Sequence, residues 1–197
     1  MDAEPPIIDC EEREFTMGKK LAALLLASCL LLAAAGCGAK DVLDSVGTEI
    51  KADGRAYGQT TSLSEGETAK TAFFEYTVNS ARMEPEVEDY TPSDPNHTFV
   101  VVNVTVKNTF EDDAKIPMFY TDFTLTWDGM GDTTVYPESA FAEGQLPDDY
   151  ELFKGESRTG DLIFVAPADA KGFSLRYIEV WDDDFEGNSY FIPFSVG

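Results

Sequence analysis

Past Thr68 the chain alternates apolar and polar residues with a period of two, and no stretch there repeats at the helical spacing of 3.6 residues. In "TAFFEYTVNSA", Ala72, Phe74, Tyr76 and Val78 fall on one side of a strand, with Phe73, Glu75, Thr77 and Asn79 on the other. "FVVVNVTVKN" is the clearest case. Val100, Val102, Val104 and Val106 make a β-branched face suited to burial, while Val101, Asn103, Thr105 and Lys107 face away. "FTLTW" turns Phe123, Leu125 and Trp127 inward and stops at Asp128-Gly129-Met130-Gly131-Asp132, a glycine-bearing hairpin signal with "TTVYP" as its return strand. Three more strands are expected over Arg158 to Pro167, Gly172 to Trp181 and Ser189 to Val196. The segment Met83 to Asn96, with three prolines and five acids, reads as a loop, because proline cannot serve a central strand.

About seven short strands with turn signals between them predict an all-β fold. The expected architecture is an immunoglobulin-like antiparallel β-sandwich with Greek-key connections, covering 67–197.

The pattern is different before Thr68. An apolar run from Leu21 to Ala35 follows "MGKK" at Met17 and ends in Ala34-Ala35-Gly36-Cys37. It is shorter than the roughly 20 apolar residues a spanning helix needs. Positive residues, an apolar run and small residues, in that order, form a secretory signal peptide, here 17–36. The final tetrapeptide resembles a bacterial lipobox, which implies a diacylglyceryl group on Cys37 and cleavage just before it. The alternative is cleavage at an ordinary A-x-A-like site, which leaves Cys37 a free thiol. Because Cys10 and Cys29 precede the cut, Cys37 has no disulfide partner in the mature chain, and acylation accounts for it. Residues 1–16 hold six acids and one base, the reverse of a signal peptide's start, so they are expected to be an upstream extension, with Met17 as the true start. Gly38 to Gly66 is rich in Gly, Ser, Thr and Asp, and 37–66 is expected to be the acylated cysteine and a flexible tether.

Composition narrows the partners. With 37 acids against 14 Lys and Arg the formal charge is −23, and only six of the acids precede Cys37. Such a chain repels nucleic acid, so none is expected as a partner. The expected location is the extracytoplasmic face of the bacterial cell membrane, held through the lipid at Cys37, facing an unidentified protein or envelope ligand.

"FVVVNVTVKN", an aromatic strand after it, and "LFKGESRTGDLIFVAP" together resemble the telokin-like domain of unknown function found in lipoproteins of Gram-positive bacteria. The resemblance spans about Gly66 to Phe194 and rests chiefly on Val100 to Asn108 and Gly155 to Pro167. It implies an immunoglobulin-like fold at the cell surface and offers no catalytic residues to carry over.

Chemistry-bearing motifs are sparse. His97 is the only histidine, too few for a histidine-based zinc site, and no serine sits in a G-x-S-x-G elbow. Carboxylate pairs at glycosidase spacing arise by chance in so acidic a chain. No catalytic residue and no cofactor is therefore expected. The one ligand-like spacing is "DDDFEGN", where Asp182, Asp184 and Glu186 with Gly187 follow the first half of a calcium loop. The twelfth position is Pro193, not glutamate, so any calcium there would be weak, and a plain hairpin turn with a positive-φ glycine reads the same residues. Three functions stay open: a lipid-anchored binding module, a divalent-cation-dependent structural or sensing module, and a small carboxylate hydrolase.

Overall fold

The computed structural model describes residues 49–50, 52–111 and 115–197. The strands are β1 (Glu49–Ile50), β2 (Ala56–Tyr57), β3 (Thr60–Ser62), β4 (Thr68–Lys70), β5 (Phe74–Glu84) and β6 (His97–Asn108). They continue with β7 (Ile116–Phe119), β8 (Phe123–Thr126), β9 (Asp149–Leu152), β10 (Ser157–Pro167), β11 (Ser174–Val180) and β12 (Glu186–Pro193). Two sheets carry the fold, one ordered β10-β6-β5-β4 and the other β3-β12-β11-β8; β1 pairs with β2, and β7 with β9. All pairings are antiparallel except β12 with β3. This is the all-β sandwich architecture that the alternation predicted. Among the described residues no helix is long and apolar enough to cross a membrane.

The inner faces follow the expected register. Val100, Val102, Val104 and Val106 are fully buried, and Phe74, Tyr76, Phe123 and Tyr177 join them in one core. Their rings meet edge-on or tilted, with centroids 4.6 Å apart for Phe74 and Tyr177 and 5.2 Å for Tyr76 and Phe123. Aromatic pairs favour such geometries. A bulge between Val78 and Ser80 leaves Asn79 unpaired in the ladder. The extra residue shifts the alternation, so that Ala81 and Met83 pack on the core although they stand an odd number of positions from Val78. Asn79 itself donates to Asn103 Oδ1 and Thr105 Oγ1 on the outer face.

Four expectations are corrected. Val101 is not on a solvent face; it is fully buried with Phe99 and Ile163 in a second apolar cluster against Val87, Phe141 and Ala142. The segment 138–146 covers that side of the sheet, held by Glu138 N–H on Ile163 O (2.7 Å) and Leu146 N–H on Asp161 O (2.9 Å). Consecutive apolar residues, Phe99 to Val102 and Leu162 to Val165, are the sequence mark of a strand buried on both faces. The return strand "TTVYP" contracts to a single bridge, Val135 with Leu125. The end of the expected tether is folded: Thr60–Ser62 runs parallel to β12, and Leu63 N–H donates to Phe191 O at 2.9 Å. Finally, the positive φ in the turn after β11 belongs to Asp184 (φ 60), not to Gly187.

Gly187 is needed for another reason. A Cβ there would stand 2.6 Å from Glu179 Oε2. Glu179 is 2 % exposed, and its carboxylate accepts from Ala72 N–H (2.8 Å), Asn188 N–H (3.0 Å) and Tyr190 O–H (2.8 Å) rather than from a cation. Three donors offset the cost of taking the carboxyl group out of water. They also tie β11, β12 and the turn before β5 at one end of the sandwich.

Candidate functional site

The acidic turn lies at that same end. Trp181 N–H donates to Phe185 O at 3.0 Å and Asp184 N–H to Trp181 O at 2.8 Å, closing the turn between β11 and β12. Asp183 is taken up by Arg55, whose guanidinium makes a forked pair with it at 2.8 and 2.9 Å and bonds Asp53 through Nε at 2.7 Å. The same guanidinium lies 4.5 Å from the Phe185 ring centre and 5.1 Å from that of Trp181. Asp183, then Asp53, hold Arg55 even more firmly in its charged form than usual. The expected ligands are not gathered: Asp182 lines one cavity and Glu186 another, while Asp184 occupies the left-handed position of the turn. Among the described residues no group of three or more His, Cys, Asp or Glu side chains is placed to hold a metal ion.

His97 opens β6, its Nδ1 3.2 Å from the Asp94 carboxylate. The backbone N–H of Asn96 keeps Asp94 below the usual carboxylate range. The pair closes the loop before β6, where His97 N–H also donates to Asp94 O at 3.0 Å. Cys37 lies outside the described residues.

A cavity that sequence reasoning missed adjoins the acidic turn. β8 pairs with β11 only from Ser174 to Tyr177, because the chain leaves the sheet through a short 3₁₀ turn, Tyr120–Asp122, and continues back to β7. Among the described strands none flanks β11 on that side from there to Val180, which leaves a notch between its end and β7. The notch is a groove of about 310 Å³ walled by Phe74, Phe119, Tyr177 and Trp181, with Asp122 and Asp182 as its charged groups. Among the described residues no lysine, arginine or histidine lines it. Phe119 is 49 % exposed and Val180 54 %, although both flank apolar walls. Pro117 withholds a donor from the β7 edge, and Phe119 N–H is consumed by Asp122 Oδ2 at 2.7 Å, so the edge is protected against another strand.

Asp122 is the chemical centre of this groove. Burial pushes its carboxyl up to about 6, and the Phe119 N–H offsets that only in part. Its charge, after burial, helps to raise the phenols of Tyr150 and Tyr177, which stay protonated. On its other side Asp122 borders a polar cavity shared with Arg176 and Glu186. A signal for the site was present in "MFYTDF", an acid set among aromatic residues. What it lacked was the partner wall from β11, more than 50 residues away.

Comparison with known proteins gives the family. Residues 63–187 match the domain of unknown function DUF4352, and the chain belongs to that family. Among solved structures, the ycdA protein of Bacillus subtilis, provisionally termed a lipoprotein, superposes with a TM-score of 0.51 at 20 % identity. That match covers 66 % of this chain but 39 % of the ycdA protein, so the chain spans well under half of that relative. The yjhA protein of Bacillus subtilis gives a TM-score of 0.47 at 21 % identity, covering 67 % of this chain and 98 % of the other. MPT63, a secreted protein of Mycobacterium tuberculosis, gives 0.49 at 10 % identity over 68 % of this chain and 98 % of its own. The ycdA likeness supports the shared fold. No curated protein matches the chain.

Proposed function

We propose that this chain is a non-catalytic binding module held on the extracytoplasmic face of a bacterial membrane by a lipid on Cys37. The observation that supports binding is the aromatic groove beside β11, an open apolar recess where a sheet would ordinarily be closed by its next strand. Ligand sites are typically such concave, largely apolar recesses with a few polar groups. Membership of a family of unknown function, with a structural neighbour termed a lipoprotein, agrees with this reading. A telokin-like immunoglobulin topology is the finer form of the fold that this reading adopts.

In this reading the tether is shorter than 37–66. Because Glu49–Ile50 pairs with Ala56–Tyr57, and Thr60–Ser62 with β12, this reading takes 38–48 as the link to the membrane. Fully extended, 11 residues reach about 40 Å, which bounds the distance between the domain and the bilayer. The test of the anchor is Cys37→Ser in the full chain: the variant should leave the membrane fraction and keep its melting temperature. Retention of the Ser variant in membranes would end the lipid reading.

A further inference from the structure

We propose that the groove beside β11 is a site for a methylated ammonium cation, a trialkylated or quaternary nitrogen rather than a metal ion or a neutral ligand. This rests on the binding-module reading above and adds the chemistry of the ligand. Three observations converge. The walls are aromatic: Phe74 and Tyr177 stand 4.6 Å apart at 59°, and Trp181 packs edge-on against Phe73 at 4.7 Å. Aromatic faces attract cations through the ring quadrupole, most strongly where water is excluded, and alkylammonium groups are the ligands such cages take. At this end of the molecule the chain already uses the device, with Arg55 resting over Trp181 and Phe185.

The second observation is charge. Asp122 and Asp182 enter the groove, and among the described residues no basic side chain lines it. Arg55 is engaged by Asp53 and Asp183, and Lys115, next to β7, pairs with Glu151. Arg176 borders Asp122 only from the polar cavity, and among the described residues no ion pair joins the two. The third is the state of Asp122. Its carboxylate is half-buried, which raises it, and, among the described residues, has a single hydrogen-bond donor, Phe119 N–H. A buried carboxylate short of donors is relieved by an entering cation. A primary ammonium would need three acceptors, and the groove offers two carboxylates across an apolar recess. Methyl groups need none and fit aromatic walls. The volume, about 310 Å³, admits a trimethylammonium head with a short substituent.

The test is calorimetric titration of the full chain in neutral detergent with choline and with its uncharged shape-mate 3,3-dimethylbutan-1-ol. Choline should bind saturably and at least tenfold more tightly than the alcohol. Asp122→Asn, which keeps the shape and the Phe119 hydrogen bond, should weaken choline at least tenfold. Phe119→Ala, a change at an exposed ring, should weaken both ligands. Choline affinity in the parent should fall between pH 7.5 and pH 5 as Asp122 takes a proton, and stay level in Asp122→Asn. Of the other groups facing Asp122, Tyr150 and Tyr177 stay neutral over that range. Arg176, Asp182 and Glu186 are common to both proteins, so the contrast reports Asp122. If the alcohol binds as well as choline and Asp122→Asn changes neither, the cation inference fails while the groove stands as a binding site. If neither ligand binds, the cation inference fails outright, and the same titration with a panel of neutral and anionic fragments decides the binding reading separately.

Discussion

Two carboxylates at the same end of the sandwich, Glu179 buried and Asp122 half-buried, have opposite surroundings. Glu179, on β11, borders a cavity with Lys70 and Trp181, but three donors are aimed at its carboxylate. Asp122, just before β8, has one donor among the described residues and an aromatic recess in front of it. Glu179 holds strands together, since its donors come from two other parts of the chain: one from the turn before β5 and two from β12. Asp122 is held in place by the fold but left short of partners, so its charge is available to something from outside. An acid partly or wholly withdrawn from water therefore reads as structural or as functional by its donor count.

The most severe way to break this comparison is to add a carboxylate with no donors. Val101→Asp places one in the apolar cluster of Phe99 and Ile163. We expect a loss of about 5 kcal/mol, enough to unfold a protein of ordinary stability, with Val102→Asp equally damaging. Urea unfolding of both variants beside the parent measures it. If Val101→Asp were tolerated while Val102→Asp was not, the outer cluster would be no true core.

Next comes removal of the satisfied acid. Glu179→Ala leaves Ala72 N–H, Asn188 N–H and Tyr190 O–H without their acceptor, at a cost of about 3–4 kcal/mol. Glu179→Gln should cost less, since its amide oxygen still accepts, though its NH₂ then faces a donor. Equal stability of parent and Ala variant in urea would mean that water replaces the three bonds and that Glu179 is no keystone.

Asp122→Asn should act with the opposite sign. The folded carboxyl is raised to about 6 from 3.8, so the ionised form is unfavourable in the native state at neutral pH. As pH falls from about 6 towards 4, the folded protein takes up the proton before the unfolded chain does, and the penalty disappears. Each tenfold weakening of the acid on folding costs about 1.4 kcal/mol, so Asn should stabilise by roughly 2–3 kcal/mol at pH 7.5. The gain should vanish near pH 4, as urea unfolding at the two pH values would show. A gain that is level with pH would trace to packing and not to the desolvated charge.

How far the sequence foretold these differences follows from which interactions are local. The long alternating strands were legible because period and β-branching are carried within ten residues, as in Val100 to Val106. β7 and β9 were not: Pro117 breaks the signal of the one and Asp149 with Glu151 that of the other, and each depends on its partner. The bulge at Asn79 is likewise set by the partner strand. The acids at Asp182 to Glu186 were visible, but not that Arg55, 128 residues earlier than Asp183, would occupy one of them. The groove is less legible still, because it arises from a strand that ends early.

The smallest effect expected is at Arg55. Its forked pair with Asp183 and its bond to Asp53 are exposed, and exposed ion pairs contribute little and are screened by salt. Arg55→Ala should lower the melting temperature less than any destabilising change above. In the variant the Arg55 charge no longer stands against Asp182, Asp183 and Asp184, so added salt should help the variant while weakening the pair in the parent. The two melting temperatures should therefore converge between about 0.05 M and about 1 M sodium chloride, over which the screening length shrinks severalfold. If the gap survived at the higher salt, charge would not be its source, and the contact of the guanidinium with Trp181 and Phe185 would be. That outcome would also sharpen the contrast at the groove, because it would show a cation held at this end of the molecule by aromatic faces more than by carboxylates, the same balance an ammonium ligand would have to strike between Tyr177 and Asp122.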